Sequence, residues 1–226
     1  MKKYAIIVAG GSGQRMGSEV PKQFLLIKGK PLLQYTLQTF LLTYDDLQII
    51  LVLPRQQFNY GEQIVKQMDA EERVQIVAGG PTRFHSVQNG LKQITEPAIV
   101  FVHDGVRCLV SVPLIQRCYQ QALEKGSAIP AVVATDSIRV VEGTTHLTID
   151  RNNIRIVQTP QTFRSDILLA AFKQEYTEAF TDEATVVEAA GNEVFLIEGE
   201  HNNLKITRPL DLFIAEKLLE EGFHRQ

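Results

Sequence analysis

The sequence predicts an α/β protein, a doubly wound and mostly parallel sheet of the Rossmann-like kind. Three observations predict it. Short apolar runs rich in Ile and Val recur along the chain, segments with apolar residues at helical spacing lie between them, and the first run ends at once on glycines. A strand buried on both faces of a parallel sheet reads as a continuous apolar run, and helices alternating with such strands cover both faces of one sheet.

In chain order, residues 4–9 form the first run and predict a central strand. Further runs at 47–53, 74–77, 99–102, 128–134 and 194–197 predict strands of the same kind. Residues 31–42 predict a helix, with Leu33, Leu37, Phe40 and Leu41 on one face and Pro31 near its start. Val87, Leu91 and Ile94 form a second stripe after Ser86. A third helix runs from Pro113, with Leu114, Ile115, Cys118, Ala122 and Leu123 facing inward and Gly126 past its end. A fourth follows Ser165, a fifth follows Thr181 and stops at Gly191, and the last runs from Pro209 through Phe213, Ile214 and Leu218. Residues 137–149 break the pattern: Ile138 and Val140 alternate and answer Leu147 and Ile149 across Glu142, Gly143, Thr144 and Thr145, which predicts a hairpin. A lone hairpin is marginal, so it is expected to pack on its own domain or on a second subunit.

Composition narrows the classes. The chain has 226 residues, 44% hydrophobic and 22% charged, which suits one compact domain over 1–226 and excludes disordered and fibrous proteins. A net charge of -3 argues against a nucleic-acid partner. Cys108 and Cys118 have no metal-ligand spacing and read as unpaired thiols of a reducing compartment. No apolar run approaches the ~18 residues of a spanning helix, and the start MKKYAIIVAGG carries no signal-length segment, so no membrane partner and a cytoplasmic location are expected.

Chemistry gathers at a few stations. The first strand ends in Ala9, Gly10, Gly11, Ser12, Gly13, Gln14, Arg15, Met16 and Gly17, with Pro21, Lys22 and Gln23 close behind. Glycines after a buried strand let main-chain amides approach a phosphate, and neither GxGxxG nor a P-loop is present. Arg15 and Lys22 in the same loop suit a polyphosphate, against the plainer reading of two solvated charges. Asp104 follows the strand at 99–102, where ligands of open α/β sheets sit, and offers a hard oxygen to Mg²⁺; without the Gly loop beside it, it reads more readily as a turn or cap aspartate. His103 reads as a packed or turn histidine rather than a base. Lys205, inside an apolar alternation, reads by itself as a solvated strand residue, and the segments Asp150 to Asn153 and Thr159 to Thr162 read as loop.

Taken together these stations resemble the 2-C-methyl-D-erythritol 4-phosphate cytidylyltransferases of the non-mevalonate isoprenoid pathway. The family's AAGxGxRM and PKQ match Ala9 to Met16 and Pro21 to Gln23; its GGxxRxxSV matches Gly79, Gly80, Arg83, Ser86 and Val87; its HDxxR matches His103, Asp104 and Arg107. DR, TPQ, TDEA and NxKxTxPxD follow at Asp150 and Arg151, Thr159 to Gln161, Thr181 to Ala184, and Asn203 to Asp211.

The resemblance implies an enzyme that transfers CMP from CTP to the polyol phosphate with Mg²⁺. It implies Arg15, Lys22, Arg151 and Lys205 as catalytic residues and Asp104 as the metal ligand. Ala9, Gly10, Gly11, Gly13, Gly80, Arg83 and Ser86 would bind the nucleotide, and Asp104, Arg107, Ser137, Arg151, Thr181 and Lys205 the polyol phosphate. It further implies a homodimer in which a β-arm at about 136–156 crosses to the partner, bringing Arg151 to the neighbouring site. Gly10, Gln14, the HDGVRC run at 103–108 and Ser137 depart from the family's usual residues, and Gly105, Val106 and Cys108 are expected to reshape the turn behind Asp104 and through it the polyol pocket. The same chemistry on ribitol 5-phosphate, a UTP- or GTP-dependent relative, and a non-catalytic nucleotide-binding module are the competing readings.

Overall fold

The computed structural model describes residues 1–10 and 20–222. In order the chain forms β1 (Lys2–Val8), a single 3-10 turn (Lys22–Phe24), β2 (Leu26–Ile27), β3 (Lys30–Pro31), α1 (Leu32–Thr43), β4 (Leu47–Leu53), α2 (Phe58–Gln67), β5 (Val74–Ala78), α3 (Arg83–Leu91) and β6 (Ala98–Asp104). Then come α4 (Val112–Lys125), β7 (Ser127–Val133), β8 (Ile138–Glu142), β9 (Thr145–Ile149), β10 (Arg155–Val157), β11 (Gln161–Arg164), α5 (Ser165–Ala171), α6 (Glu183–Ala189), β12 (Leu196–Glu198) and α7 (Pro209–Glu220).

Among the described residues eight strands form one sheet in the order β10-β7-β11-β6-β1-β4-β5, with β12 added on β7. The strands β6, β1, β4 and β5 run parallel, with Val8 opposite both Val52 and Asp104. Their carboxyl ends therefore reach one edge together, and β1 is central as its continuous apolar run predicts. Alternate side chains of each strand feed two cores. Ile7, Ile49 and Leu51 pack with Leu37, Phe40, Ile64 and Leu114 on the face covered by α1, α2 and α4. Ile6, Ile50 and Val52 pack with Val87, Leu168 and Val187 under α3, α5 and α6. This is the doubly wound arrangement, and each fully buried Leu or Ile stabilises it by ~1.5–3 kcal/mol. A third, smaller cluster seats α7 through Ala215 and Leu219 against Leu32, Cys108 and Ile206.

Local chemistry sets the helix ends. Ser111 caps α4 by accepting from the Leu114 amide, and Gly126 closes it in the left-handed region at φ 90°. Asp182 and Thr185 form a capping box at the start of α6. Thr82 caps α3, so that helix begins before Ser86 and carries both Arg83 and Ser86 within it.

Several expectations change. Leu123 does not face inward but is 42% exposed; at ~100° per residue it lies well round the helix from Leu114 and Cys118, which hold the buried seam. In α7 Phe213 and Ile214 are exposed, and Ala215 and Leu219 make the contact. The stretch from Gln161 is not loop but β11, antiparallel between β6 and β7. Its polar letters disguise it, because Gln161 is buried with both amide ends satisfied, donating to Asp182 Oδ2 and accepting from the Ala184 amide. The helix α2 has a weak signature in the sequence, because its apolar contacts are Phe58, Ile64 and Val65 around an interior Gly61. There a β-carbon would lie 2.5 Å from Leu53 Cδ1, so glycine lets the helix settle on the sheet. The hairpin of β8 and β9 has the expected register, Ile138 opposite Ile149 and Val140 opposite Leu147, and leaves Val141 and Leu147 exposed.

Candidate active site

A cleft opens where the parallel strands end. Val8 at the end of β1 with Ala9 and Gly10 after it, Pro54 after β4, Gly79 and Gly80 after β5, and Asp104 at the end of β6 line it, joined by Lys22, Gln23, Arg83, Ser86, Val106 and Lys205. Carboxyl ends of parallel strands are where open α/β sheets hold ligands. Among the residues that the sequence singled out, Ala9, Gly10, Lys22, Gly80, Arg83, Ser86, Asp104 and Lys205 meet here. Gly11, Gly13 and Arg15 lie outside the described residues. Ser137, Arg151 and Thr181 are exposed and are not among the described lining residues, and Arg151 Nη1 donates to the Thr135 carbonyl at 2.7 Å.

The two floors of the cleft are built differently. On one side, Ser86 Oγ accepts from the Gly80 amide at 3.1 Å and donates to the Thr82 carbonyl at 3.0 Å, which fixes the turn between β5 and α3. A β-carbon at Gly80 would stand 2.4 Å from His85 Cβ and 3.0 Å from its main-chain carbon, so only glycine fits. Beside β1, the buried Gln23 Nε2 donates to the Ala9 carbonyl and to Gln57 Oε1, each at 2.7 Å. This ties the exit of β1 to the turn that carries Lys22. Lys22 Nζ reaches the Ile206 carbonyl at 3.4 Å, so the first and last parts of the chain meet at the cleft.

On the other side, Asp104 sits among cations. Lys205 Nζ is 2.9 Å and Arg107 Nε 3.5 Å from its Oδ2, while Arg83 Nε is 3.5 Å from Oδ1. Burial alone would raise the Asp104 carboxyl, but Arg83, Lys205 and Arg107 outweigh it and hold the group well below the usual carboxylate range. Lys205 is exposed, as a solvated residue would be, but it lies outside any strand and its ammonium pairs with Asp104.

Arg83 in turn grips Glu183, with Nη1 on Oε1 and Nη2 on Oε2 at 3.0 Å. Burial lowers Arg83, yet Glu183 and Asp104 more than compensate and keep it charged. Burial pushes the Glu183 carboxyl up, and Arg83 offsets part of that.

His103, Thr159, Arg107 and Asn203 lock the surroundings. The Asp104 amide donates to Thr159 Oγ1 at 3.1 Å, and Thr159 Oγ1 meets His103 Nδ1 at 3.0 Å. His103 Nε2 faces the Arg107 carbonyl at 3.2 Å. A carbonyl only accepts, so Nε2 carries the proton and Nδ1 takes the Thr159 hydroxyl proton. The ring is neutral, because burial pushes it down to about 3. Asn203 Nδ2 donates to the Thr159 carbonyl and its own carbonyl accepts from Arg107 Nη1, each at 2.8 Å. His103 is accordingly a packed histidine, and the TPQ, HDxxR and NxK stations form one network. Gln23, Thr159, Glu183 and Asn203 stand in the quoted motifs with no role of their own, and motif membership is the one signal the sequence carries for them: the partners of Thr159, Glu183 and Asn203, namely Asp104, Arg83 and Arg107, lie far off in the chain.

The departures at 103–108 fall mostly behind the cleft. Cys108 is buried in the cluster with Ile27, Leu32 and Leu109, and burial pushes its thiol up to about 12. A β-carbon at Gly105 would meet Ala9 Cβ at 3.0 Å and Leu33 Cδ1 at 3.1 Å; Val106 alone of the three lines the cleft. Cys108 thus shapes the packing behind the turn and does not line the cleft.

A cationic cleft with one ionised carboxylate, at the carboxyl edge of a doubly wound sheet, defines a nucleotidyltransferase of Rossmann-like architecture. Comparison with known proteins makes this specific: the model of the 2-C-methyl-D-erythritol 4-phosphate cytidylyltransferase family, IspD, matches residues 4–221. The chain belongs to that family. It is similar to the 2-C-methyl-D-erythritol 4-phosphate cytidylyltransferase of Bacteroides fragilis, 46% identical over 97% of this chain and 100% of the relative. Among solved structures it is similar to the enzyme of that name from Francisella tularensis, 31% identical with TM-score 0.80, covering 96% of this chain and 99% of the other. It is also similar to the 4-diphosphocytidyl-2C-methyl-D-erythritol synthase of Anaerococcus prevotii, 26% identical with TM-score 0.83, covering 97% and 98%.

Proposed function

We propose that the protein transfers CMP from CTP to 2-C-methyl-D-erythritol 4-phosphate and releases pyrophosphate, in isoprenoid precursor biosynthesis. The observation that carries this reading is the convergence of Lys22, Arg83 and Lys205 on the cleft around Asp104, in a chain that belongs to this family over nearly its whole length. A phosphate oxygen of the polyol attacks the α-phosphorus of CTP, and the bond from that phosphorus to the bridging oxygen breaks. The polyol phosphate is dianionic near neutral pH, its second pKa being ~6, so no base has to deprotonate it. The task is to bring two anions together, which positioned cations accomplish. Lys22 and Arg15 serve the triphosphate and the charge growing at the α-phosphorus, and Gly80 and Ser86 border the base. Lys205 orients the incoming phosphate, with Arg107, Ser137 and Thr181 facing the polyol.

The donor set fits Mg²⁺. Asp104 Oδ2 is held by Lys205 at 2.9 Å, whereas among the described residues no cation comes nearer to Oδ1 than Arg83 Nε at 3.5 Å, which leaves one hard oxygen for an ion that otherwise takes phosphates and water. When bound, the ion supplies charge neutralisation at the triphosphate. A homodimer completes the reading: the exposed Arg151 reaches the neighbouring cleft on the arm around β8 and β9, whose Val141 and Leu147 are exposed in the single chain. Two buried free thiols and the absence, among the described residues, of a helix long and apolar enough to cross a membrane support action in the cytoplasm.

Pyrophosphate release from CTP and Mg²⁺ with methylerythritol phosphate, set beside ribitol 5-phosphate and beside UTP and GTP, tests the reading. Faster release with ribitol phosphate would transfer the assignment to that substrate. CTP binding with no release from any acceptor would make the chain a binding module.

A further inference from the structure

Glu183 is a buried acid beside the cleft whose work the reaction does not explain. Its side chain is 1% exposed, it starts α6 on the far side of Arg83 from Asp104, and it engages the guanidinium through both Nη atoms. An Arg–carboxylate pair of this kind is strong and fixes the plane of the guanidinium. With both Nη atoms turned to Glu183, what reaches Asp104 is Nε alone, at 3.5 Å from Oδ1, beyond hydrogen-bonding distance. Oδ2 is already taken by Lys205 at 2.9 Å.

From this geometry we infer that Glu183 is a positioning residue that withholds Arg83 from Asp104, keeping Oδ1 open to the nucleotide-bound metal ion. Two carboxylates compete for one guanidinium. The buried one wins both Nη donors, and the one at the cleft keeps the field of the cation without its hydrogen bonds. Loss of the Glu183 charge releases Arg83, which closes on Asp104 in a two-point pair and occupies the oxygen the metal needs. Charge counting agrees in sign. Glu183 and Asp104 face Arg83, Arg107 and Lys205, and removing one of the two carboxylates leaves the other to hold all three cations. The inference rests on the function proposed above for Asp104, but its structural half stands on Arg83 and Glu183 alone.

The test uses Glu183→Gln, which keeps the shape and removes the charge, and Glu183→Asp, which keeps the charge one methylene short. A ligand-free crystal structure of Glu183→Gln is expected to place an Arg83 nitrogen within hydrogen-bonding distance of Asp104 Oδ1; an unchanged 3.5 Å separation overturns the inference. Titration of Mn²⁺ with CTP, followed by electron paramagnetic resonance without turnover, is expected to show binding ~10–100-fold weaker in Glu183→Gln than in wild type, the usual effect of disturbing a residue behind a metal ligand. Equal affinity overturns it. Glu183→Asp is expected to recover part of the loss, which a purely structural role of the side chain's length would not give. Where Glu183→Gln does not fold, Glu183→Asp carries both measurements with the smaller loss. Wild-type protein that binds no Mn²⁺ with CTP refutes the proposed function instead, and the crystal structure then decides the role of Glu183 by itself.

Discussion

Replacing Thr159 by valine isolates the hydroxyl that joins Asp104 to His103. Valine keeps the threonine shape at a buried position, so the perturbation is the hydrogen bonding alone. The hydroxyl accepts from the Asp104 amide at 3.1 Å and donates to His103 Nδ1 at 3.0 Å, and its removal strands a buried donor and a buried acceptor. At ~1–3 kcal/mol for each of the two stranded groups, the loss centres on ~4 kcal/mol. For a chain of 226 residues, ~2–4 °C per kcal/mol converts this to a fall of ~8–16 °C in Tm. Calorimetric melts at neutral pH, with urea unfolding as a second measure, read the change directly. Thr159→Ser keeps the hydroxyl and loses one methyl, for ~1 kcal/mol. A valine variant melting within ~1 °C of wild type, or a serine variant falling as far as valine, refutes the claim that this hydroxyl ties the cleft together.

Further outcomes follow from the same geometry. Lys22→Ala is expected to lower turnover ~10²–10³-fold with the fold intact by circular dichroism, the usual loss on removing one transition-state donor; near wild-type rates at saturating substrate would discard its catalytic role. Gly80→Ala has to push against the His85 main chain and is expected to destabilise by ~2 kcal/mol and weaken CTP binding, measured by melting and calorimetry. His103, pushed down to about 3 in the folded protein from an ordinary 6.5, gives a signed pH effect. Below pH 6.5 the unfolded chain takes up a proton that the native ring refuses, so stability is complete above that pH and falls by up to ~1.4 kcal/mol per pH unit as pH drops toward 3. His103→Gln is expected to flatten the slope of urea midpoints between pH 6.5 and 5, and an unchanged slope would assign it to other groups.

The parallel half of the sheet was legible because its strands are buried on both faces, as in β1 and β4, and apolar runs leave little else to be. The antiparallel strand β11 was not, because Gln161 and Thr162 are polar residues whose partners come from elsewhere in the chain and cannot be seen from spacing. The same limit governs the site. Glycines, Lys22 and Asp104 announce themselves by following strands, and the structure gathers them. Lys205 looked like a surface lysine until Asp104 stood 2.9 Å away. Glu183 was hidden more thoroughly, since a buried acid is meaningful only beside its guanidinium, and Arg83 lies one hundred positions earlier.

The cleft is stitched from both extremes of the polypeptide: Lys22 reaches the Ile206 carbonyl, the Ile206 amide reaches the Val106 carbonyl, and Asn203 anchors Thr159 and Arg107. During synthesis, then, the early strands can pair while Asp104 still lacks its ammonium partner. The cleft is completed only after Lys205 has left the ribosome, so a nascent chain stalled before that point would hold a sheet whose Asp104 has not met that cation.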